Sequence, residues 1–195
     1  MTNRKGVPCI VTHGMFIDLI KELKSEEDTL TGNYARDTHV RREHLQVVVA
    51  AASVEPTSEN LHRVALALYR TLNGYISHPY GLSKDTWNYS VVKMKILAEK
   101  AASSKNASGE ACHLAGAIAN TEWGYFSWCL LSGNTPQAKR YLTGLKGDRL
   151  LDADGEAAHK WFKKGARKGN PACTELAKWF VDGNHRAPPR PMPGQ

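Results

Sequence analysis

Apolar residues recur along this chain at helical spacing rather than strand spacing. Met15, Phe16, Leu19, Ile20 and Leu23 fall at i, i+1, i+4, i+5 and i+8, which predicts an amphipathic helix from about Thr12 to Ser25. The polar stretch 26–36, with Gly32 and Asn33, reads as a loop, and a second helix is expected to open at Asp37 or Thr38 and run through Val47, Val48 and Ala51. Val47 to Val49 has strand propensity, but the flanking alanines and the lack of a neighbouring strand pattern favour helix. Glu55-Pro56-Thr57-Ser58 breaks that helix and caps a third, in which Leu61, Val64, Ala65, Leu68 and Leu72 share a face and Asn73-Gly74 marks the end.

After Pro79 and Gly81, Asp85 is the expected cap of a long helix through Val91, Met94, Leu97, Ala98 and Ala101. Ser108 caps another that carries Leu114, Ala115 and Ile118. Trp123, Phe126, Cys129 and Leu130 predict a bulky helix stopping at Gly133. Thr135-Pro136 and Asn170-Pro171 each place a capping side chain before a first-turn proline. A helix over 154–168 ends at Gly169, and a last one over 171–182 ends at Gly183. The proline-rich tail cannot hold a helix; it is expected to be disordered or extended, and its PPRPMP run would suit an aromatic groove that takes polyproline. The pattern therefore predicts an all-α protein of about nine helices, one helical domain over 1–183 with N-terminal helices over 1–80, and a tail over 184–195.

Two Gly-Asn turns, Gly133-Asn134 and Gly169-Asn170, lie 36 residues apart, a spacing typical of helical repeats. The segment 156–183, EAAHKWFKKGARKGNPACTELAKWFVDG, resembles one unit of the SEL-one-like repeat, a relative of tetratricopeptide repeats. The match is carried by Ala158, Trp161, Phe162, Lys164, Gly165, Ala166, Gly169, Asn170, Ala172, Leu176, Phe180 and Gly183. The segment 97–119, LAEKAASSKNASGEACHLAGAIA, matches in part but lacks the aromatic pair, and the span from Gly169 to Leu176 is one residue shorter than the usual pattern. The resemblance covers about the C-terminal half. It implies a short right-handed solenoid of antiparallel helix pairs over 85–183, capped by the N-terminal helices, and an adaptor-like role without shared chemistry. The motif residues themselves are architectural: small residues let helices approach and aromatics fill between them.

Composition adds a charge argument. The 195 residues hold 26 Lys plus Arg against 19 Asp plus Glu, a net charge of +7. That balance favours an acidic partner: an acidic protein, or in second place nucleic acid. No run approaches the roughly 20 apolar residues of a membrane span, and the first residues lack a signal-peptide pattern, so a protein made and kept in the cytoplasm, with no membrane association, is expected. Cys9, Cys112, Cys129 and Cys173 are widely spaced and read as free, mostly buried thiols.

Phosphate-loop, dinucleotide-binding, zinc-protease and nucleophile-elbow motifs are absent from the sequence, so no catalytic residue and no cofactor is assigned, and an enzyme ranks third. Cys9 with His13 and Cys112 with His113 lack the paired fourfold spacing of structural zinc, and no metal is expected. His39, Arg41, Arg42 and His44 form a basic cluster read either as an anion site or as a solvated face; at a helix start, cations are disfavoured by the helix dipole. Lys160, Lys163, Lys164, Arg167 and Lys168 recur at i, i+3, i+4, i+7 and i+8 and line one side of a single helix. Like charges so spaced repel by about 0.2–0.5 kcal/mol per pair, which hints at acidic compensation from a partner. Trp123 and Phe126 read as core, whereas Trp87 and Tyr89 on a first turn read as an exposed binding spot. Self-association is left open.

Overall fold

The computed structural model describes residues 16–29, 31–77, 82–121, 123–124, 149–151 and 153–181. Among them the chain is mostly helical. In order come α1 (Ile17–Thr29), α2 (Gly32–Val54), α3 (Ser58–Ser77), α4 (Lys84–Ser103), α5 (Gly109–Ala119), β1 (Trp123–Gly124), β2 (Arg149–Leu151), α6 (Gly155–Arg167) and α7 (Pro171–Val181). Each helix packs on its neighbour in sequence; in addition α3 touches α5, α5 touches α7, and α1 touches α4. One hydrophobic cluster runs through them from Phe16 to Phe180.

The expected faces are buried where periodicity placed them. Leu61, Val64, Ala65, Leu68 and Leu72 of α3 are buried, as are Val91, Met94, Leu97, Ala98 and Ala101 of α4 and Leu114, Ala115 and Ile118 of α5. Ser108 caps α5 by accepting from the Ala111 N–H at 3.1 Å, and Asp154 caps α6 by accepting from the Ala157 N–H at 2.9 Å. Gly169 ends α6 at φ 81°, a left-handed conformation that glycine adopts without a Cβ clash. Asn170 then caps α7 through the Cys173 N–H at 2.9 Å.

Several boundaries differ from the sequence reading. The stretch 26–36 is not a loop: α1 continues to Thr29 and α2 starts at Gly32. Lys24 pairs with Asp28 at 2.5 Å along α1, and Arg42 of α2 bonds Glu27 of α1 at 2.9 Å, so the polar residues here serve helical turns. Asn73-Gly74 does not close α3, which runs through to Ser77; one glycine costs a helix only about 1 kcal/mol. The cap of α4 is Ser83 rather than Asp85. Ser83 Oγ accepts from the Thr86 N–H, while Glu22 of α1 accepts from the Ser83 N–H and hydroxyl at 2.8 Å and from the Thr86 hydroxyl at 2.7 Å. A carboxylate at a helix N-terminus is favoured by the dipole, so this contact ties α1 to α4.

Trp123 does not open a helix. It lies in β1, antiparallel to β2, with Trp123 opposite Leu151. Its indole N–H donates to the Ile118 carbonyl at 3.2 Å beneath the end of α5, and its ring meets Tyr69 edge-on at 6.0 Å and Trp87 at 6.4 Å. That packing is stronger than the local helical pattern. Phe126, Cys129, Leu130, the Gly133-Asn134 turn, Thr135-Pro136 and the proline-rich tail lie outside the described residues, as do Cys9 and His13. Seven helices, against about nine expected, are seen among the described residues.

Candidate functional site

The tightest part of the fold joins α5, α6 and α7. A Cβ on Gly116 of α5 would sit 2.5 to 2.9 Å from three ring atoms of Phe162 on α6. One on Gly165 of α6 would sit 2.3 Å from Cys173 Sγ and 3.2 Å from Cys112 Cβ. Glycine at these two positions therefore sets how closely the helices approach, and the orientation of α6 follows from it. Cys112 and Cys173 are free and buried; burial raises both thiols, that of Cys173 to about 12, so neither is a ready nucleophile.

Holding α6 this way presents its lysine row to two different environments. Lys164 is half-buried, and its Nζ donates to the Ala102 carbonyl at 2.6 Å and the Ser104 carbonyl at 3.4 Å, with the Trp161 ring 6.0 Å away. Ser58 Oγ donates to the Ala101 carbonyl at 2.9 Å. The Ala101 carbonyl also accepts from the Ser104 N–H and the Ser104 carbonyl from the Ala107 N–H, so Lys164 is the donor that the Ala102 carbonyl gains, at the pole where a cation is favoured. Lys168 Nζ reaches the Lys105 carbonyl at 3.3 Å. Two of the five cations in the row thus have intramolecular acceptors, which removes part of the repulsion that the sequence assigns to an absent partner.

The other three face solvent. Lys163 and Arg167 are exposed and have no ion pair or hydrogen bond among the described residues; Lys160 lies over the Trp161 ring at 5.5 Å. Lys105, exposed on the α4–α5 turn, joins them through its carbonyl contact with Lys168. Lys105 and Lys168 are 63 residues apart along the chain, so no spacing rule reveals the contact.

The remaining expected residues separate. Trp87 is buried at 5 % exposure and packs against Trp123, so it is core and not a binding spot: α1 covers the start of α4 through Glu22. Tyr89 is exposed, with Lys93 Nζ 5.3 Å from its ring, and burial followed by the Asp18 charge raises its hydroxyl pKa. Because α2 starts at Gly32, His39, Arg41, Arg42 and His44 lie beyond its first turn, where the dipole argument against cations no longer applies. Arg42 is engaged within the fold: it bonds Glu27 and Glu43, each at 2.9 Å, and holds the Glu27 carboxyl below its ordinary range. Arg41 is half-buried beside it.

No motif announces a grouping of two half-buried histidines, His62 of α3 and His113 of α5, near the exposed Glu110 of α5. Burial lowers His62 and His113, and the Glu110 charge opposes this at both. Glu110 itself is held below its ordinary value by its own backbone N–H at the start of α5, with Ser108 and Asn170 adding hydrogen bonds. His113 lies 6.1 Å from Phe162, and His62 Nδ1 is buried without a hydrogen-bond partner among the described residues. Among the described residues no group of three or more His, Cys, Asp or Glu is placed to hold a metal ion.

This cluster sets a pH dependence. Imidazoles with lowered folded pKa values take up protons in the unfolded chain first, so their contribution to stability is present above about 6.5 and is lost as the pH falls below it. The lowered Glu110 adds a loss in the same direction below about 4.5. The melting temperature is expected to drop between pH 7.5 and 5.5, and His62→Gln with His113→Gln should flatten the profile over that interval. An unchanged slope in the double variant would assign the acid sensitivity elsewhere.

No family model, curated protein or solved structure matches the chain. No helix among the described residues is long and apolar enough to cross a membrane.

Proposed function

We propose that the chain is a non-enzymatic binding protein, an adaptor or inhibitor, in which a short SEL-one-like stack of helix pairs presents a basic surface to an acidic protein partner. The observation that carries this reading is the exposed set Lys160, Lys163 and Arg167, extended by Lys105, on a helix fixed by Gly116, Gly165 and the Lys164 contact. A row of exposed cations on a helix whose own position is held suits a partner that supplies carboxylates. The solenoid reading is supported by the succession of contacts: neighbours in sequence pair, and α3, α5 and α7 touch at every second step. It is also supported by the Gly169-Asn170 turn, which separates α6 from α7 with the cap that the repeat pattern calls for.

The test is a pull-down from nuclease-treated lysate of the native host, comparing the wild type with Lys160→Glu, Lys163→Glu and Arg167→Glu combined. Lys164 and Lys168 stay in place, so the fold keeps its internal contacts. A protein partner is expected to survive nuclease and to bind the variant about tenfold or more weakly, a loss of about 1.4 kcal/mol or greater. Undiminished capture by the variant would overturn the surface assignment. Capture of nucleic acid alone, with affinity falling steeply in salt, would replace the protein partner by nucleic acid.

A further inference from the structure

Val40, Val47 and Val54 stand seven residues apart on α2 and are 57 %, 66 % and 88 % exposed. A step of seven returns a helix to within about 20° of its starting direction, so the three form one line along its length. That line is opposite the core-facing side, which carries Leu45, Val49 and Ala52, all fully buried. Packing among the described residues gives no reason for it to be apolar. A single exposed valine is ordinary, whereas an aligned row on the most solvent-facing line of a helix marks a contact surface.

The residues around the row say what covers it. Exposed Glu43 and His44 lie before Val47, exposed Ala50 and Ala51 lie after it, Arg36 stands at one end, and Glu55 ends the helix at the other. The geometry points to a second copy of this chain, docked with its α2 antiparallel about a two-fold axis through Val47. Under that symmetry Val47 meets its own counterpart and Val40 meets Val54 of the second copy. Glu43 and His44 face Ala51 and Ala50, so large side chains oppose small ones and the two helices approach closely. Arg36 reaches the C-terminal end of the other α2, where Glu55 and the negative helix pole lie. A parallel arrangement would instead set Arg36 against Arg36 and Glu43 against Glu43. The contact is isologous, the form that closes on itself as a dimer, and it is independent of the basic surface on α6.

Sedimentation of the full chain over a range of concentrations tests this. The wild type is expected to pass from monomer to dimer, and Val47→Asp to weaken the dimer by about tenfold or more with unchanged helical circular dichroism, because Val47 is 66 % exposed. Orientation is read by mild oxidation. Mixed Val40→Cys and Val54→Cys chains should link well above either variant alone or the wild type treated alike, and Val47→Cys should link to itself. A chain that stays monomeric at every concentration, a dimer indifferent to Val47→Asp, or links as abundant in Val40→Cys alone as in the mixture would each overturn the proposal.

Discussion

Replacing Gly116 by alanine is expected to destabilise the protein by about 2 kcal/mol, although alanine is the better helix former by about 1 kcal/mol. The added methyl group would meet Phe162 Cε1, Cδ1 and Cζ at 2.5, 2.7 and 2.9 Å, distances at which something must move. Phe162 is 1 % exposed and borders His113 and Phe180, so its ring has little room to withdraw. Separating α5 from α6 instead would loosen the packing of Cys112, Gly165 and Cys173 together. Denaturant unfolding should show a lower midpoint at unchanged m-value. Phe162→Leu in the Gly116→Ala background should recover part of the loss, because the two changes are coupled and not additive. A gain in stability near the propensity difference would mean that α5 and α6 are not in close contact at this point.

Lys164→Met is expected to remove about 2 kcal/mol, the range for a hydrogen bond made by a charged group to an acceptor, here the Ala102 carbonyl, that loses that donor. Methionine keeps an apolar stem beside Trp161 and deletes only the ammonium, so the loss reports chiefly on the Ala102 carbonyl, since the Ser104 carbonyl keeps the Ala107 N–H. Lys163→Met, one position earlier and exposed, should change stability by no more than about 0.5 kcal/mol. Equal and small effects at both positions would return Lys164 to the solvent-facing row. The pair of variants therefore separates a lysine that holds the fold from one available to a partner, a distinction that charge reversal of the whole row would blur.

The sequence by itself determined the helical class, most of the buried faces and the caps at Ser108 and Asn170. These depend on residues within one or two turns of each other, where helical periodicity and capping geometry are local properties. It also marked Gly165, Trp161 and Phe162 as packing residues and Lys163 with Arg167 as an exposed row. Tertiary structure alone decided the rest. Trp87 went inside because it packs against Trp123, and a first-turn aromatic carries no local sign of such cover. Trp123 entered a strand because its pairing residue, Leu151, is 28 positions away. Lys164 left the binding row because its acceptors, Ala102 and Ser104, belong to another helix end, and the His62–Glu110–His113 cluster assembled from two helices separated by a third. Periodicity reports which side of a helix is apolar; it carries no information about which distant backbone group or charge that side will meet.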